Sequence, residues 1–339
     1  MNLYKNKILS DSEVESFIGQ NNFAKGADHL FRSQLNSWEL LRKNYIALED
    51  IKTKSFWFEG FKIKVQFNPE RMKSTTAEVD EKSVKNRKCF LCVDNLPKEQ
   101  KGILLLNKYL LLCNQYPVFP KHYTICSLIH EPQQINEKFD ELLELSRILS
   151  PVNTLIYNGP ACGASAPDHL HFQVGTKLFM PIEDDIQQMK NCYGYAVKET
   201  DTITLSFIDD GLRKLILIES AKSIEISNLF RTIFEEYKVL SGNSLEPMMN
   251  LICRYDWECG WCVIIFLRRK HRPECYFADD PEKILVSPAA IDLGGVVVTP
   301  REEDFNRIDK ENLRQIINEV SLDKETFSLL AEKIKRKSL

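Results

Sequence analysis

The stretch that decides the fold is residues 157–173, Tyr-Asn-Gly-Pro-Ala-Cys-Gly-Ala-Ser-Ala-Pro-Asp-His-Leu-His-Phe-Gln. Polar and apolar side chains alternate in its last five residues, and alternate residues of a β-strand share one face. We therefore predict a strand near 169–174 on which His169, His171 and Gln173 project together while the intervening apolar residues face the core. A pair of structural histidines on a half-exposed strand is the alternative reading of this pattern.

The small residues before this strand favour a phosphate site. Gly163, Ala164 and Ser165 let backbone N–H groups approach a ligand closely, and such amides form a nest for anions. An imidazole with an ordinary pKa near ~6.5 is mostly neutral at pH 7. Beside such a nest, His171 is placed to attack an α-phosphorus and form a nucleotidyl-histidine intermediate. Gln173 can donate a hydrogen bond to a phosphate oxygen without adding negative charge.

A metal site is indicated by the pair Cys89-Phe-Leu-Cys92. One such pair can also be a redox dithiol or a chance spacing. Zinc needs about four ligands, usually Cys and His, and His130 and His169 are available to complete a structural Cys2His2 site. His171 then stays free as the nucleophile. The second pair, Cys259 and Cys262, has no matching partners at zinc spacing, and we interpret it as structural.

Composition narrows the class of protein. The chain has 339 residues, 43% hydrophobic residues and a net charge of −3, which favours a soluble globular protein that does not gather nucleic acid. The sequence contains no run of about 18 apolar residues, so it predicts no membrane span. The N-terminus lacks the apolar segment of a secretory signal, so we expect a cytoplasmic protein with reduced cysteines.

Periodicity predicts helices and strands throughout the chain. Helices are expected at 26–46, 133–149, 222–240, 309–319 and 323–336, and strands at 56–58, 61–67, 103–113, 122–128, 153–158, 169–174, 202–208, 213–218, 247–254, 262–268 and 292–299. Two basic segments, 68–88 and 268–272, are either solvated surface or phosphate contacts. A weak similarity between 107–125 and 260–277 hints at an internal duplication.

These residues resemble the transferase branch of the histidine-triad superfamily. Residues 163–173, GASAPDHLHFQ, are similar to its His-x-His-x-Gln motif. Further segments, among them QLNSWELLRKNYIALEDIKTKSF, VQFNPERMKSTTA and VSPAAIDLGGVVVTPREEDF, resemble the GDP-L-galactose phosphorylase family in the same order. The likeness spans about residues 30–335. Cys89, Cys92 and His130 look more like the zinc site of the uridylyltransferases in the same branch.

The resemblance implies an α+β fold, with an antiparallel sheet, flanking helices and two fused histidine-triad-like halves. The first half, 1–190, would carry the motif and the zinc site, and the second, 191–339, would complete the substrate pocket. His171 would be the nucleophile and Gln173 would assist the phosphate. Asn158 would line the phosphate turn, and Arg71 and Lys73 lie where the family has a basic segment near the nucleotide.

The resemblance also implies an activity. We expect a nucleotidyltransferase that acts on a nucleotide sugar and phosphate, most simply a GDP-hexose phosphorylase that yields a nucleoside diphosphate and a sugar 1-phosphate. Transfer to a sugar 1-phosphate and phosphorolysis of a dinucleoside polyphosphate are the alternatives within the enzyme class. A nucleotide-binding module and a purely structural zinc protein are the alternatives outside it. Many relatives pair as dimers, so a homodimer is expected.

Overall fold

The structure, a computed structural model, describes residues 3–10, 12–242 and 245–338. Its strands are β1 (Thr53–Phe58), β2 (Phe61–Phe67), β3 (Gly102–Leu105), β4 (Tyr109–Cys113), β5 (His122–Ser127), β6 (Asn153–Asn158), β7 (His171–Thr176), β8 (Gly194–Glu199), β9 (Ile203–Asp209), β10 (Lys214–Ser220), β11 (Met249–Asp256), β12 (Gly260–Leu267) and β13 (Val296–Thr299). Its α-helices are α1 (Ser12–Gly19), α2 (Phe23–Ser37), α3 (Glu39–Glu49), α4 (Met72–Thr75), α5 (Glu81–Asn86), α6 (Phe139–Ile148), α7 (Ile182–Tyr193), α8 (Ser223–Ser241), α9 (Glu274–Phe277), α10 (Ala290–Leu293), α11 (Glu302–Arg307), α12 (Lys310–Val320) and α13 (Lys324–Ser338).

Ten strands of the described chain form one antiparallel sheet. Their order is β3-β4-β5-β7-β6-β11-β12-β10-β9-β8. The sheet continues across its middle through the pair β6–β11, where Asn158 lies opposite Asn250. The predicted α+β class with a large antiparallel sheet and flanking helices is therefore confirmed.

A smaller sheet of three strands, β1-β2-β13, covers part of one face of the large sheet. Its strand β13 comes from the end of the chain and runs parallel to β2, with Val296 opposite Lys64. Residues 53–67 and 296–299, which are far apart in the sequence, are thus joined in one small sheet. The division into halves 1–190 and 191–339 stays a prediction.

The large sheet separates two apolar cores. One core packs its strands against α2, α3, α6, α8 and α13, and the other packs them against the small sheet, α7 and α12. Strand β7 begins at His171 rather than at His169, and its residues Phe172 and Val174 lie in the helix-side core with Leu170, which precedes the strand. This confirms the predicted alternation, and it turns His171 and Gln173 to the opposite face.

Several predicted elements have different bounds. The helix predicted at 26–46 is two helices, because buried Trp38 has an extended backbone that ends α2 and precedes α3. The strand predicted at 103–113 is the hairpin β3–β4, since Leu106 and Asn107 have positive φ angles of 50° and 54°. Helix α6 begins at Phe139 rather than at Gln133.

Three further segments differ from the sequence prediction. The strand predicted at 292–299 is the short helix α10 followed by β13, with Gly295 at a φ of 96° between them. The loop predicted at 68–88 contains α4 and α5, and α7 and β8 follow β7 where no element was predicted. Within the described ranges, no helix is long and apolar enough to cross a membrane.

Candidate functional site

The site is a cavity of about 670 Å³ on the face of the large sheet that carries His171 and Gln173. The sheet register places Leu112, Thr124 and Gln173 side by side on β4, β5 and β7. The other six residues that were predicted to bind the phosphate or the nucleotide line the same cavity as His171 and Gln173. They are Arg71, Lys73, Asn158, Gly163, Ala164 and Ser165. His271, Arg272 and Asp292 line it as well, so segments from before and after residue 190 meet at one site.

His171 lies at the start of β7, is 4% exposed and lines the cavity. Its Nδ1 lies 2.8 Å from the carbonyl oxygen of His169. A carbonyl oxygen only accepts, so Nδ1 carries the proton and Nε2 keeps a lone pair. Burial lowers the pKa of His171 to about 4. The ring is therefore neutral at pH 7 and has the form that a nucleophile needs.

Gln133 holds His171 in place. The β6–β7 pairing ends at Ile156 and Gln173, and beyond it the Gln133 carboxamide lies between the strands. Its oxygen accepts from the His171 N–H at 2.7 Å, and its NH2 donates to the carbonyl oxygens of His171 and Asn158, both at 2.9 Å. Gln133 is 1% exposed. The carboxamide replaces strand pairing at this point and opens the sheet beside His171.

Gln173 is held by a second histidine, His122. The Nδ1 of His122 accepts from the backbone N–H of Val118 at 3.2 Å, so its Nε2 carries the proton and donates to Gln173 Oε1 at 3.0 Å. Burial lowers the pKa of His122 to about 3. The oxygen of Gln173 is thus occupied, and its NH2 group is left to face the cavity.

The phosphate turn follows β6 and has the predicted small residues. Gly163 has a φ of 118°, and a Cβ there would lie 2.6 Å from the Cβ of Ala289. No side chain fits at this position. Asn158 precedes the turn and is 5% exposed. Its Oδ1 accepts from Asn250 Nδ2 and the Ala290 N–H, both at 2.9 Å.

Cations line the other wall. Arg71 donates to the carbonyl oxygen of Tyr116 at 2.8 Å, and burial lowers its pKa to about 10, so it stays charged at pH 7. Lys73 lies over the Tyr116 ring. From the basic run 268–272, His271 and Arg272 line the cavity. Arg268 points inward and is buried, so a direct phosphate contact from Arg268 is excluded.

The structure brings the four predicted metal ligands together. The ligand atoms of Cys89, Cys92, His130 and His169 all lie within 4.8 Å of one another. Sulfur–nitrogen distances are 3.3 Å for Cys89–His169, 3.2 Å for Cys92–His130 and 3.6 Å for Cys92–His169. His169 Nε2 donates to the Ser127 carbonyl oxygen at 2.9 Å, which leaves Nδ1 as a ligand atom. This group could hold a metal ion.

Asp168 and Arg87 connect this cluster to the phosphate turn. Arg87 Nη2 donates to the Ser165 carbonyl oxygen at 2.9 Å and to Asp168 Oδ1 at 3.2 Å, while Asp168 Oδ2 lies 3.6 Å from His130 Nε2. Sequence reasoning missed these residues and also Gln133, His122 and Asn250. Their roles depend on partners that are distant in the chain. Cys259 is exposed, and neither Cys259 nor Cys262 belongs to the metal-ligating group found among the described residues.

Two family models match the chain, one on each side of residue 190. Residues 30–176 match the family model described as "Domain of unknown function (DUF4922)", and residues 194–338 match "GDPGP1-like, C-terminal domain". No curated protein sequence matches the chain significantly.

Among solved structures, the chain is similar to the yeast Ap4A phosphorylase Apa2. The TM-score is 0.55 for Apa2 crystallised without a named ligand, 0.54 for its complex with AMP and 0.52 for its complex with Ap4A. Each comparison has 13% identity and covers 85% of this chain and 96% or 97% of the other. At this identity the likeness establishes the fold. Residues 194–338 thus match a GDPGP1-like C-terminal domain, and the chain as a whole is similar in fold to the Ap4A phosphorylase Apa2.

Proposed function

We propose that this enzyme is a phosphorylase that cleaves a nucleotide sugar through a nucleotidyl-histidine intermediate on His171. The observation that carries the proposal is the geometry around His171 Nε2. His171, Gln173 and Asn158 line one cavity. The Nδ1 of His171 and the carboxamide oxygens of Gln173 and Asn158 are occupied by other partners, which leaves Nε2 and the two NH2 groups for a ligand. The GDPGP1-like family match supports GDP-hexose as the donor.

The proposed reaction has two in-line steps. In the first, the Nε2 lone pair attacks the α-phosphorus, a P–N bond forms and the bond to the β-phosphate oxygen breaks, which releases hexose 1-phosphate. In the second, an oxygen of inorganic phosphate attacks the same phosphorus, the P–N bond breaks and a nucleoside diphosphate leaves. Hexose 1-phosphate departs as an anion in the first step, and in the second the His171 ring departs as a neutral imidazole with its proton on Nδ1, so neither step requires an acid. The amide NH2 groups and Arg71 would stabilise the charge on the phosphoryl oxygens.

The cavity has an apolar side that suits a nucleobase. Leu91, Leu96 and Leu112 line it on the side of β4. Leu112 and Gln173 lie two strands apart, which is about 10 Å at the usual strand spacing. A nucleoside 5′-phosphate would span that distance with its phosphorus near His171. The hexose phosphate would then lie toward His271 and Arg272 on the opposite wall.

The cluster of Cys89, Cys92, His130 and His169 fits zinc. Tetrahedral zinc has bonds of about 2.0–2.3 Å to nitrogen and sulfur, which places ligand atoms about as far apart as the sulfur–nitrogen distances in this cluster. A bound ion would fix the loop of Cys89 to the segment before β7 and would take no part in the transfer. We therefore propose a structural role for it.

Intact-mass spectrometry tests the function. The protein is mixed with GDP-, UDP- or ADP-hexose without phosphate, and an adduct of one nucleoside monophosphate is expected with the GDP donor. His171→Ala should form no adduct. An adduct that persists in this variant, or none with any donor, would contradict the mechanism. Addition of phosphate, a sugar 1-phosphate or a second nucleotide, followed by product analysis, separates the phosphorylase from a uridylyltransferase-like enzyme and from a dinucleoside polyphosphate phosphorylase.

A further inference from the structure

Arg268 is a buried cation with an unusual set of partners. It follows β12, is 1% exposed and stands at the start of the basic run 268–272. All its contacts end on neutral oxygens: Nε on Val320 O at 3.2 Å, Nη1 on Asn250 Oδ1 at 2.6 Å and Pro288 O at 3.0 Å, and Nη2 on Lys270 O at 3.0 Å and His271 O at 2.9 Å. Buried charges usually pair with an opposite charge. Arg268 instead holds five oxygens in fixed positions.

The contact with Arg268 fixes the orientation of Asn250. An arginine only donates, so the atom of Asn250 that faces it must be the oxygen. The NH2 group of Asn250 then points the other way and donates to the Cys162 carbonyl oxygen at 2.7 Å and to Asn158 Oδ1 at 2.9 Å. The Cys162 carbonyl only accepts, so this contact requires the same orientation.

Asn158 is fixed in turn. Its Oδ1 accepts from Asn250 and from the backbone N–H of Ala290, and a backbone N–H cannot accept. Arg268 supports both donors, because its contact with Pro288 O holds the segment that leads to Ala290. No hydrogen bond among the described residues occupies Asn158 Nδ2, and Asn158 lines the cavity with His171.

We infer that Arg268 and Asn250 are positioning residues that orient the Asn158 carboxamide, so that its NH2 group donates to the phosphoryl group under attack by His171. The identity of that group rests on the proposed function. Each member of the chain donates to the next, and aligned hydrogen bonds of this kind polarise one another. The positive charge of Arg268 therefore strengthens the final donor without reaching the ligand itself.

This arrangement couples the two parts of the sequence. Arg268, Asn250 and Ala290 follow residue 190, whereas Asn158 and His171 precede it. The residues after 190 would thus orient the phosphate donor as well as line the cavity.

Asn250→Asp tests the inference with little change in shape. Its carboxylate still accepts from Arg268, so the variant is expected to fold, but it cannot donate to Asn158 Oδ1. The carboxamide of Asn158 should then turn its NH2 group toward the new carboxylate and away from the cavity. We expect kcat to fall about 10²-fold, the usual effect of losing one donor to a developing oxyanion, with a much smaller change in KM.

A double-mutant cycle separates positioning from a general loss of structure. Asn158→Ala should lose as much activity as Asn250→Asp, and the double variant should be no slower than Asn158→Ala alone. Arg268→Met should behave like Asn250→Asp, with Arg269→Met, its exposed neighbour, as the matched control. If Arg268→Met does not fold, the kcat of Asn250→Asp alone tests the inference. Wild-type kcat in Asn250→Asp, or effects that multiply in the double variant, would overturn the inference.

Pyrophosphate binding keeps this test independent of the proposed function. If the wild-type protein turns over none of the nucleotide sugars, titration calorimetry with inorganic pyrophosphate compares it with Asn250→Asp. We expect the variant to bind pyrophosphate at least about tenfold more weakly, a difference near 1.4 kcal/mol. This result supports the orientation of Asn158 even if the proposed phosphorylase activity is wrong. Equal affinity overturns it.

Discussion

His169 and His171 lie two residues apart, and the carbonyl groups that they face hold their rings in opposite tautomers. His169 donates from Nε2 to Ser127 and keeps a lone pair on Nδ1, whereas His171 donates from Nδ1 to His169 and keeps a lone pair on Nε2. One ring therefore has a lone pair on Nδ1 beside the cysteines, and the other has a lone pair on Nε2, the form that the proposed nucleophile requires. The backbone oxygen of the first histidine fixes the chemistry of the second.

The first prediction concerns the metal. Purified protein should contain about one zinc ion per chain, and Cys92→Ser should lose it, because thiolates bind zinc far better than hydroxyls do. Since the ion fixes the segment before β7, its loss should also lower the melting temperature and slow the formation of the adduct. Elemental analysis and thermal unfolding measure both effects.

Cys259→Ser is the matched control for this prediction, because Cys259 is exposed and lies outside the group. It should retain the ion and the wild-type melting temperature. A folded, active wild-type preparation with no tightly bound metal would show that the cluster is a set of free side chains.

The second prediction concerns His122, whose ring orients Gln173. His122→Asn keeps an acceptor near the position of Nδ1 for the Val118 N–H but removes the donor to Gln173, so its carboxamide can rotate. We expect kcat to fall about tenfold or more, since the preorganised donor is lost, with little change in KM. Single-turnover formation of the adduct measures the chemical step directly.

His122→Gln is the conservative partner of this variant, because its amide nitrogen can take the place of Nε2. It should recover much of the lost rate. Equal rates for the two variants would mean that His122 supports only the local packing, where its ring contacts Phe119 with centroids 5.1 Å apart.

The alternation of residues 169–174 predicts that His171 and Gln173 share a face, because the period of a strand is a local property, but it does not predict that His169 lies in the cluster with the cysteines instead of in the cavity. The same holds for the turn at Gly163, whose small residues adjoin the motif. The residues that hold these groups could not be found in this way. Gln133 bonds to His171 across 38 positions, His122 to Gln173 across 51, and Asn250 to Asn158 across 92. A lone buried Gln or Asn has no pattern in the sequence that distinguishes it from a surface residue.

The third prediction concerns Gln133. Gln133→Glu keeps the oxygen that accepts from the His171 N–H but loses the donor to the carbonyl oxygens of His171 and Asn158. Two buried acceptors are then left without a partner, at about 1–3 kcal/mol each. We expect the free energy of unfolding to fall by about 2–6 kcal/mol and adduct formation to slow, because β6 and β7 are no longer held apart at a fixed distance.

Urea unfolding and single-turnover kinetics test this prediction together. Gln188→Glu, at an exposed position of α7 outside the cavity lining, is the matched control for the same chemical change. If Gln133→Glu is as stable as the wild-type protein, the carboxamide is not a required link between the two strands.

The last prediction is a pH dependence of stability that arises from Glu246. Its carboxyl group accepts from the Ile135 N–H and the Tyr157 hydroxyl, both at 2.7 Å, and burial raises its pKa to about 7. In the unfolded chain the pKa is near ~4.3, so between these values the folded state binds more protons than the unfolded state. The free energy of unfolding should therefore be highest below about pH 4 with respect to this group, fall as the pH rises to about 7, and level off above that. The contribution that is lost is about 4 kcal/mol.

Glu246→Gln keeps an oxygen acceptor and does not titrate, so urea titrations at several pH values should give a profile without this decline. A profile that matches the wild-type protein would assign the decline to another group.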